Sequence, residues 1–131
     1  MKQLKRFLSG LLVLCLLVSM IPVTARAAES GTCGENLTWT ISDDGVLTIS
    51  GTGPMNDYGY SGGPWGGFTS VVVEDGVTTI GAYAFYRNSL LSSISLPEGL
   101  ISIGGYAFYC CEALEEIKLP STLTSIGHSS F

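Results

Sequence analysis

The side chains that could do chemistry in this 131-residue chain are few, and their spacing gives them little to work on. His128 is the single histidine, and an imidazole works as a general base only when a nucleophile or an acid stands within hydrogen-bond reach. No serine or cysteine sits in a motif that would supply that partner. Paired carboxylates occur at Asp43-Asp44 and Glu115-Glu116. The first pair precedes Gly45 and reads as turn chemistry, while the second falls on an alternating segment with one face in water. Both read as solvated charge. Of the four cysteines, Cys33, Cys110 and Cys111 share no recognised zinc-ligand spacing with His128, and once Cys15 is removed by processing the remaining three thiols cannot all pair within one chain. Cys110 and Cys111 are neighbours, so a bond between them would be strained. No glycine-rich loop follows the strand-to-helix grammar of phosphate binding. These residues predict no catalytic group, no metal site and no cofactor.

The elements that must position such side chains are set by a repeat. Ile80, Ile103 and Ile126 stand 23 residues apart, as do Gly81, Gly104 and Gly127, and Phe85, Phe108 and Phe131. Val77, Leu100 and Leu123 keep step, followed by Ile94 with Ile117, Leu96 with Leu119 and Pro97 with Pro120. A period in the twenties that holds apolar positions and frees polar ones is the signature of a leucine-rich solenoid. One unit offers Leu91, Ile94, Leu96, Leu100, Ile103, Ala107 and Phe108 as inward residues. Burying these returns less than the entropy of ordering the unit's backbone costs. Stability therefore belongs to stacked units. About two and a half are legible here. The last breaks off at Phe131, so the open apolar end is expected either to be covered by further sequence or to be left as an aggregation risk.

Within a unit, Leu91–Leu96 and Leu114–Leu119 alternate as short strands, and Phe68–Val73 fits the same frame. Pro97 and Pro120 end them, since proline cannot donate to a ladder. The strands should lie side by side as a parallel sheet on one face, joined by short turns or helical segments. Gly81, Gly104 and Gly127 mark a tight corner where a side chain would obstruct. Asn88 and Cys111 occupy equivalent corner positions, with Cys111 inward and Cys110 outward.

Residues 28–70 differ in composition. Leu37, Trp39 and Ile41 alternate, Asp43-Asp44-Gly45 offers a turn, and Leu47 and Ile49 alternate again, which is a β-hairpin pattern. Its expected task is to cover the apolar end of the first repeat. Gly51–Gly67 reads as a long irregular connection, pinned to the solenoid by Trp65 and Phe68. A different use of this stretch would expose Tyr58, Tyr60 and Trp65 as an aromatic patch for sugars.

The segments VTTIGAYAF, LISIGGYAF and LTSIGHSSF, joined by LLSSISLPEG and LEEIKLPS, resemble the BspA-type leucine-rich repeats of bacterial surface proteins. The resemblance covers about Val71 to Phe131, and GTCGENLTWTISDDGVLTISGTGPM with Pro64-Trp65 is similar to the leader region ahead of such repeats. It implies a secreted or cell-surface protein used in adhesion or ligand binding, and it implies no chemistry. Arg87, Cys110 and the Ser129–Phe131 triplet depart from the pattern and put the regularity of the last corner in question.

Residues 1–27 read as a signal peptide. Lys2, Lys5 and Arg6 precede an apolar run from Leu11 to Ile21, and Ala25-Arg26-Ala27 supplies a cleavage site. The run is too short for a comfortable membrane span, and Leu14 before Cys15 does not fit a lipoprotein anchor. Four of the six basic residues fall in this segment and none of the eleven acidic ones do, which leaves a net charge of −9. Nucleic acid and anionic lipid are poor partners for such a surface.

If the chain carries a site, strand alternation places it on the outward face. Ser70, Ser93 and Glu116 should form one column, and Val72, Ser95 and Lys118 another, with Thr69, Ser92 and Glu115 at the margin. Hydroxyls and a few charges on a gently curved sheet suit an extracellular protein or glycan. The other reading is a non-catalytic leader of a larger secreted enzyme or wall-anchored protein, whose activity lies beyond residue 131.

Overall fold

The computed structural model describes residues 29–131, which form nine strands and no helix. The expected signal peptide and Cys15 lie outside the described residues. Strands β1 (Glu29–Gly34), β2 (Leu37–Ile41) and β3 (Val46–Gly51) make an antiparallel meander. Period-two alternation decides which side chains go inside. Leu37, Trp39 and Ile41 of β2 are buried with Leu47 and Ile49 of β3, while Thr38 and Thr40 face solvent. The Asp43-Asp44-Gly45 turn forms as its residues predict. Gly45 adopts φ 83°, its N–H donates to Ser42 O, and the Ser42 hydroxyl donates to the Asp44 carboxylate.

Six further strands follow: β4 (Gly53–Pro54), β5 (Ser70–Val73), β6 (Val77–Ile80), β7 (Ser93–Ser95), β8 (Ser102–Ile103) and β9 (Ser125–Ile126). They assemble into two sheets, ordered β1-β2-β3-β5-β7 and β4-β6-β8-β9. All pairings beyond β3 are parallel, with Ser70 opposite Ser93 and Ile80 opposite Ile103. The connections between strands of the first sheet are thus a second short parallel sheet and a side of turns, with no helical segment among the described residues. On the turn side, Tyr83 N–H donates to Gly105 O at 3.0 Å, Phe85 N–H to Ala107 O at 2.8 Å and Arg87 N–H to Tyr109 O at 2.7 Å. The next rung repeats this with Tyr106 N–H on His128 O and Phe108 N–H on Ser130 O. Successive rungs therefore bond along three sides as far as β7, and the last rung bonds along two, through β9 and the turns.

The solenoid starts earlier than the 23-residue repeat suggests. Strand β3 pairs in parallel with β5, placing Leu47 beside Val71 and Ile49 beside Val73. Gly53 of β4 lies opposite Val77 of β6. The Gly-rich stretch after β4 is held rung to rung, with Tyr58 N–H on Ala82 O and Gly63 N–H on Ala84 O. It is a divergent turn of the same coil, and the array has about four turns. The shift in composition near residue 70 marks a change in sequence regularity and no break in the ladder.

Leu114–Leu119 does not form the strand that its alternation predicts. The first sheet ends at β7, and Leu114 and Ile117 only rest against the core, partly buried. Where the preceding unit has Ser92, Ser93 and Ser95, this one has Glu115, Glu116 and Lys118, residue types depleted in strands. The last corner, by contrast, keeps its geometry despite the Ser129–Phe131 departure. Ser130, 3% exposed, takes the place of Ala84 and Ala107. Its hydroxyl lies 3.0 Å from Gly104 O and 2.6 Å from Gly127 O, which satisfies the added polar group.

An aromatic column runs through the core. Trp65 stacks on Phe85 at 5.3 Å between ring centroids, Phe85 on Phe108 at 5.3 Å and Phe108 on Phe131 at 5.5 Å. Trp39 meets Trp65 edge to face at 5.8 Å. Trp65 is anchored as its sequence context predicts, its indole N–H donating to Ala84 O at 3.0 Å, and Phe68 is buried beside it. Outside this column the rungs touch directly through backbone. A Cβ on Gly104 would lie 2.4 Å from Ala82 N and 2.7 Å from its Cα, closer than van der Waals contact, and one on Gly127 would do the same to Gly105. The obstruction foreseen at these glycines comes from the neighbouring rung.

Replacing Gly104 by alanine should therefore lower stability by about 3 kcal/mol through forced separation of two rungs. Gly66→Ala meets nothing within 4 Å and should stay within about 0.5 kcal/mol of the parent. Urea denaturation of the two variants checks both values.

Candidate functional site

Parallel pairing in register means that every outward residue of one strand has a counterpart on the next. Ser70 lies opposite Ser93 and Val72 opposite Ser95, as the alternation predicts. The earlier strands extend the same rows. Thr40, Thr48, Val72 and Ser95 form one line across the sheet, and Val46, Ser70 and Ser93 form a second. Thr38 and Ser50 begin a third, their hydroxyl oxygens 3.4 Å apart. Ser93 and Ser95 are exposed, as is Val72 at 36%, and Ser70 is half-buried. Sequence reasoning missed Thr38, Thr40, Thr48 and Ser50 as part of this surface. Their signal was the alternation of β2 and β3, obscured because β3 and β5 are offset by one residue more than the repeat period.

Glu116 and Lys118 are exposed but stand apart from the four other predicted residues. Glu116 and Lys118 line an open cleft of about 750 Å³ together with Ser92, Ser93, Ile94, Ala113 and Glu115. The structure thus joins Ser70, Val72, Ser93 and Ser95 on one sheet and leaves Glu116 and Lys118 outside its paired strands. At the margin, the Ser92 hydroxyl and N–H both donate to Thr69 O, at 3.1 and 2.8 Å.

The residues with reactive side chains are dispersed. His128 is exposed on the last corner, 5.6 Å from the Tyr106 ring. Cys111 points inward and Cys110 outward, and all three described cysteines are free thiols. Cys111 Sγ donates to Phe85 O at 3.1 Å. Burial pushes the Cys33 thiol up to about 11, and burial outweighs a backbone hydrogen bond to push Cys111 up to about 11 as well. Both stay protonated and unreactive at neutral pH. Among the described residues no three His, Cys, Asp or Glu side chains gather into a metal-binding group.

The sugar patch of Tyr58, Tyr60 and Trp65 does not exist as such, because Trp65 is 7% exposed beneath Phe85 and Trp39. Tyr60 alone of the three projects into solvent, at 77%, where it meets Tyr83 and Tyr86 of the next rung. Desolvation, followed by the neighbouring phenols of Tyr60, Tyr106 and Tyr86, pushes the Tyr83 hydroxyl above the ordinary tyrosine range.

Residues 64–131 match a family described as the BspA type leucine-rich repeat region (6 copies). The fold is similar to that in the crystal structure of a leucine-rich repeat protein from Eubacterium ventriosum, with a TM-score of 0.71 and 29% identity over 77% of this chain. The matched part is 28% of that protein's chain. None of the curated proteins compared is similar to this one.

Two outcomes follow from the thiols. Iodoacetamide at pH 7.5 should alkylate Cys110 in the folded protein and reach Cys33 and Cys111 only in denaturant, which mass spectrometry of the digested chain resolves. The buried thiols also tie stability to alkaline pH. Each has a folded-state pKa above its unfolded value of 9.0, so its contribution is complete below pH 9 and is lost as pH rises towards 11. The loss is on the order of 2–3 kcal/mol per thiol. Urea midpoints measured from pH 8 to 11 should fall less steeply in Cys33→Ala and Cys111→Ala than in the parent.

Proposed function

The chain belongs to the BspA-type leucine-rich repeat family, and from that membership we propose that it is a secreted or cell-surface module that captures an extracellular protein or glycan on the outer face of its first sheet. Repeats of this kind support a role in protein interaction. The observation that carries the choice of face is the registered rows of Thr40, Thr48, Ser70, Ser93 and Ser95, interrupted by Val46 and Val72. An inward-facing core leaves these rows free of any packing duty. Their hydroxyls can donate and accept without a fixed charge, which suits the mixed hydrogen-bonding surface of a protein or an oligosaccharide. Glu116 and Lys118 line one open cleft with Ser93 and would add charge selection at one edge. Among the described residues no helix is long and apolar enough to cross a membrane.

A second reading is favoured by the solved relative, of whose chain the match occupies 28%. In it the module is the non-catalytic leader of a larger secreted enzyme or wall-anchored protein. Capture of a ligand by this chain alone supports the first reading.

The test is binding to immobilised extracellular-matrix proteins and mucin. Replacing Ser93, Ser95, Glu116 and Lys118 together should abolish capture and leave the melting temperature unchanged, since none of the four is buried. Capture that survives the fourfold change rules this face out.

A further inference from the structure

A second outward surface lies on the side of the coil built from turns. Tyr60, Tyr83 and Tyr106 form a column along the solenoid axis, with ring centroids 5.2 and 5.0 Å apart, and His128 ends it 5.6 Å further on. Tyr86 and Tyr109 form a second column, stacked at 5.6 Å with their planes 11° apart. The columns meet edge to face, at 5.1 Å between Tyr83 and Tyr86 and 5.5 Å between Tyr106 and Tyr109. The Arg87 guanidinium lies 5.5 Å from the Tyr86 centroid, at the margin.

The fold does not require these rings. The inward positions of the same turns are filled by Ala84, Phe85, Ala107 and Phe108, all buried. Tyr83 and Tyr106 adopt φ of 60° and 59°, and the equivalent residue of the following rung, Ser129, adopts 54°. The corner thus accepts a small polar residue in the same conformation. Left-handed backbone is costly for a large side chain, yet a tyrosine occupies it twice.

The composition of the patch matches the core of a protein interface. Tyrosine and arginine are enriched there, and five tyrosines with Arg87 make up this patch. Rings already stacked on one another lose little freedom on binding. The corner backbone is committed to rung-to-rung hydrogen bonds, so a partner cannot add a strand here and must be read by rings and phenol hydroxyls. Spacing narrows the choice. Hydrogen-bonded rungs repeat at ~4.8 Å, so two rungs span nearly the same length as one three-residue turn of polyproline II, ~9.3 Å. Every third residue of such a chain would meet rings two rungs apart, such as Tyr60 and Tyr106. Its unpaired carbonyls would accept from phenols and from Arg87. Charge sets the flanks. Eleven acidic residues stand against Arg87 and Lys118 after residue 28, and Asp57, accepting from Ala82 N–H at 2.8 Å, sits at the Tyr60 end of the column.

We propose that the two tyrosine columns are a docking surface for a proline-rich extended segment, with basic flanks, of a partner protein. This surface is separate from the hydroxyl rows of the sheet and does not depend on their role.

The probe is a peptide of ten prolines carrying two lysines at each end, titrated into the full chain by calorimetry and tyrosine fluorescence. Saturable binding is expected, weakened by salt. Joint replacement Tyr83→Ser and Tyr106→Ser should weaken it at least about tenfold, while the fourfold sheet-face variant leaves it unchanged. If the double variant fails to fold by circular dichroism, Tyr60→Ser, at a ring 77% exposed, serves for the same comparison and should weaken binding severalfold. Absence of binding overturns the proposal, as does equal binding of a glycine–serine peptide with the same lysines, which would reduce the effect to charge. Binding unaffected by the tyrosine changes, or displacement of the peptide by a neutral oligosaccharide at stronger affinity, also overturns it.

Discussion

Hydrogen bonds between successive rungs fix the axial rise of this coil at ~4.8 Å, and the rest of the molecule is built around that distance. It holds on all three sides, through β5 with β7, through β6 with β8, and through the turn carbonyls of Gly105, Ala107 and Tyr109. Equivalent side chains are then forced to the same separation. Aromatic rings at 23-residue spacing have to stack, and they do so inside as Phe85, Phe108 and Phe131 and outside as Tyr83 and Tyr106. Where backbone meets backbone, at Gly81, Gly104 and Gly127, the distance excludes even a methyl group.

The same spacing explains how the coil tolerates irregular sequence. A rung needs its backbone ladder and a few inward apolar groups, and it is indifferent to what lies outside. The turn after β4 shares few residues with later units, yet Met55 and Trp65 fill the interior and its N–H groups reach the carbonyls of Ala82 and Ala84. Ser130 shows the limit from the other direction. A hydroxyl enters the core only because two carbonyls of the corner stand within its reach, since an unpaired hydroxyl there would carry the full cost of desolvation.

Periodicity made the later rungs legible. The recurrence of Ile, Gly and Phe places the corners and the inward positions, and strand alternation places Ser70 against Ser93. Three features escaped, each for a physical reason. The rung that begins at β3 was hidden because its ladder is made by backbone, which leaves no mark in residue identity. The failure of Leu114–Leu119 to join the sheet turns on Glu115, Glu116 and Lys118, whose charges lie at outward positions that a search for apolar periodicity ignores. The tyrosine columns escape because Tyr58, Tyr60 and Trp65 stand together in sequence. Their real neighbours are one rung away, and the left-handed corner that turns Tyr83 and Tyr106 outward is not written in any single residue.

A solenoid that spends its backbone hydrogen bonds on its own rungs can recognise a partner only through side chains, and this one presents two different sets. The sheet face carries short hydroxyls on a flat surface, where each contact contributes little and affinity must come from extent and shape. The turn face carries large rings already immobilised by stacking, where a few contacts can dominate. The first kind of surface gains from every rung whose strand pairs into the sheet, because each such strand lengthens the rows. The second is confined to rungs that keep tyrosine at the corner, and it ends where Ser129 replaces it. Extent and local strength are therefore set by separate features of the repeat, and changes at the outward corner residues can alter one face while the ladder that supports both stays intact.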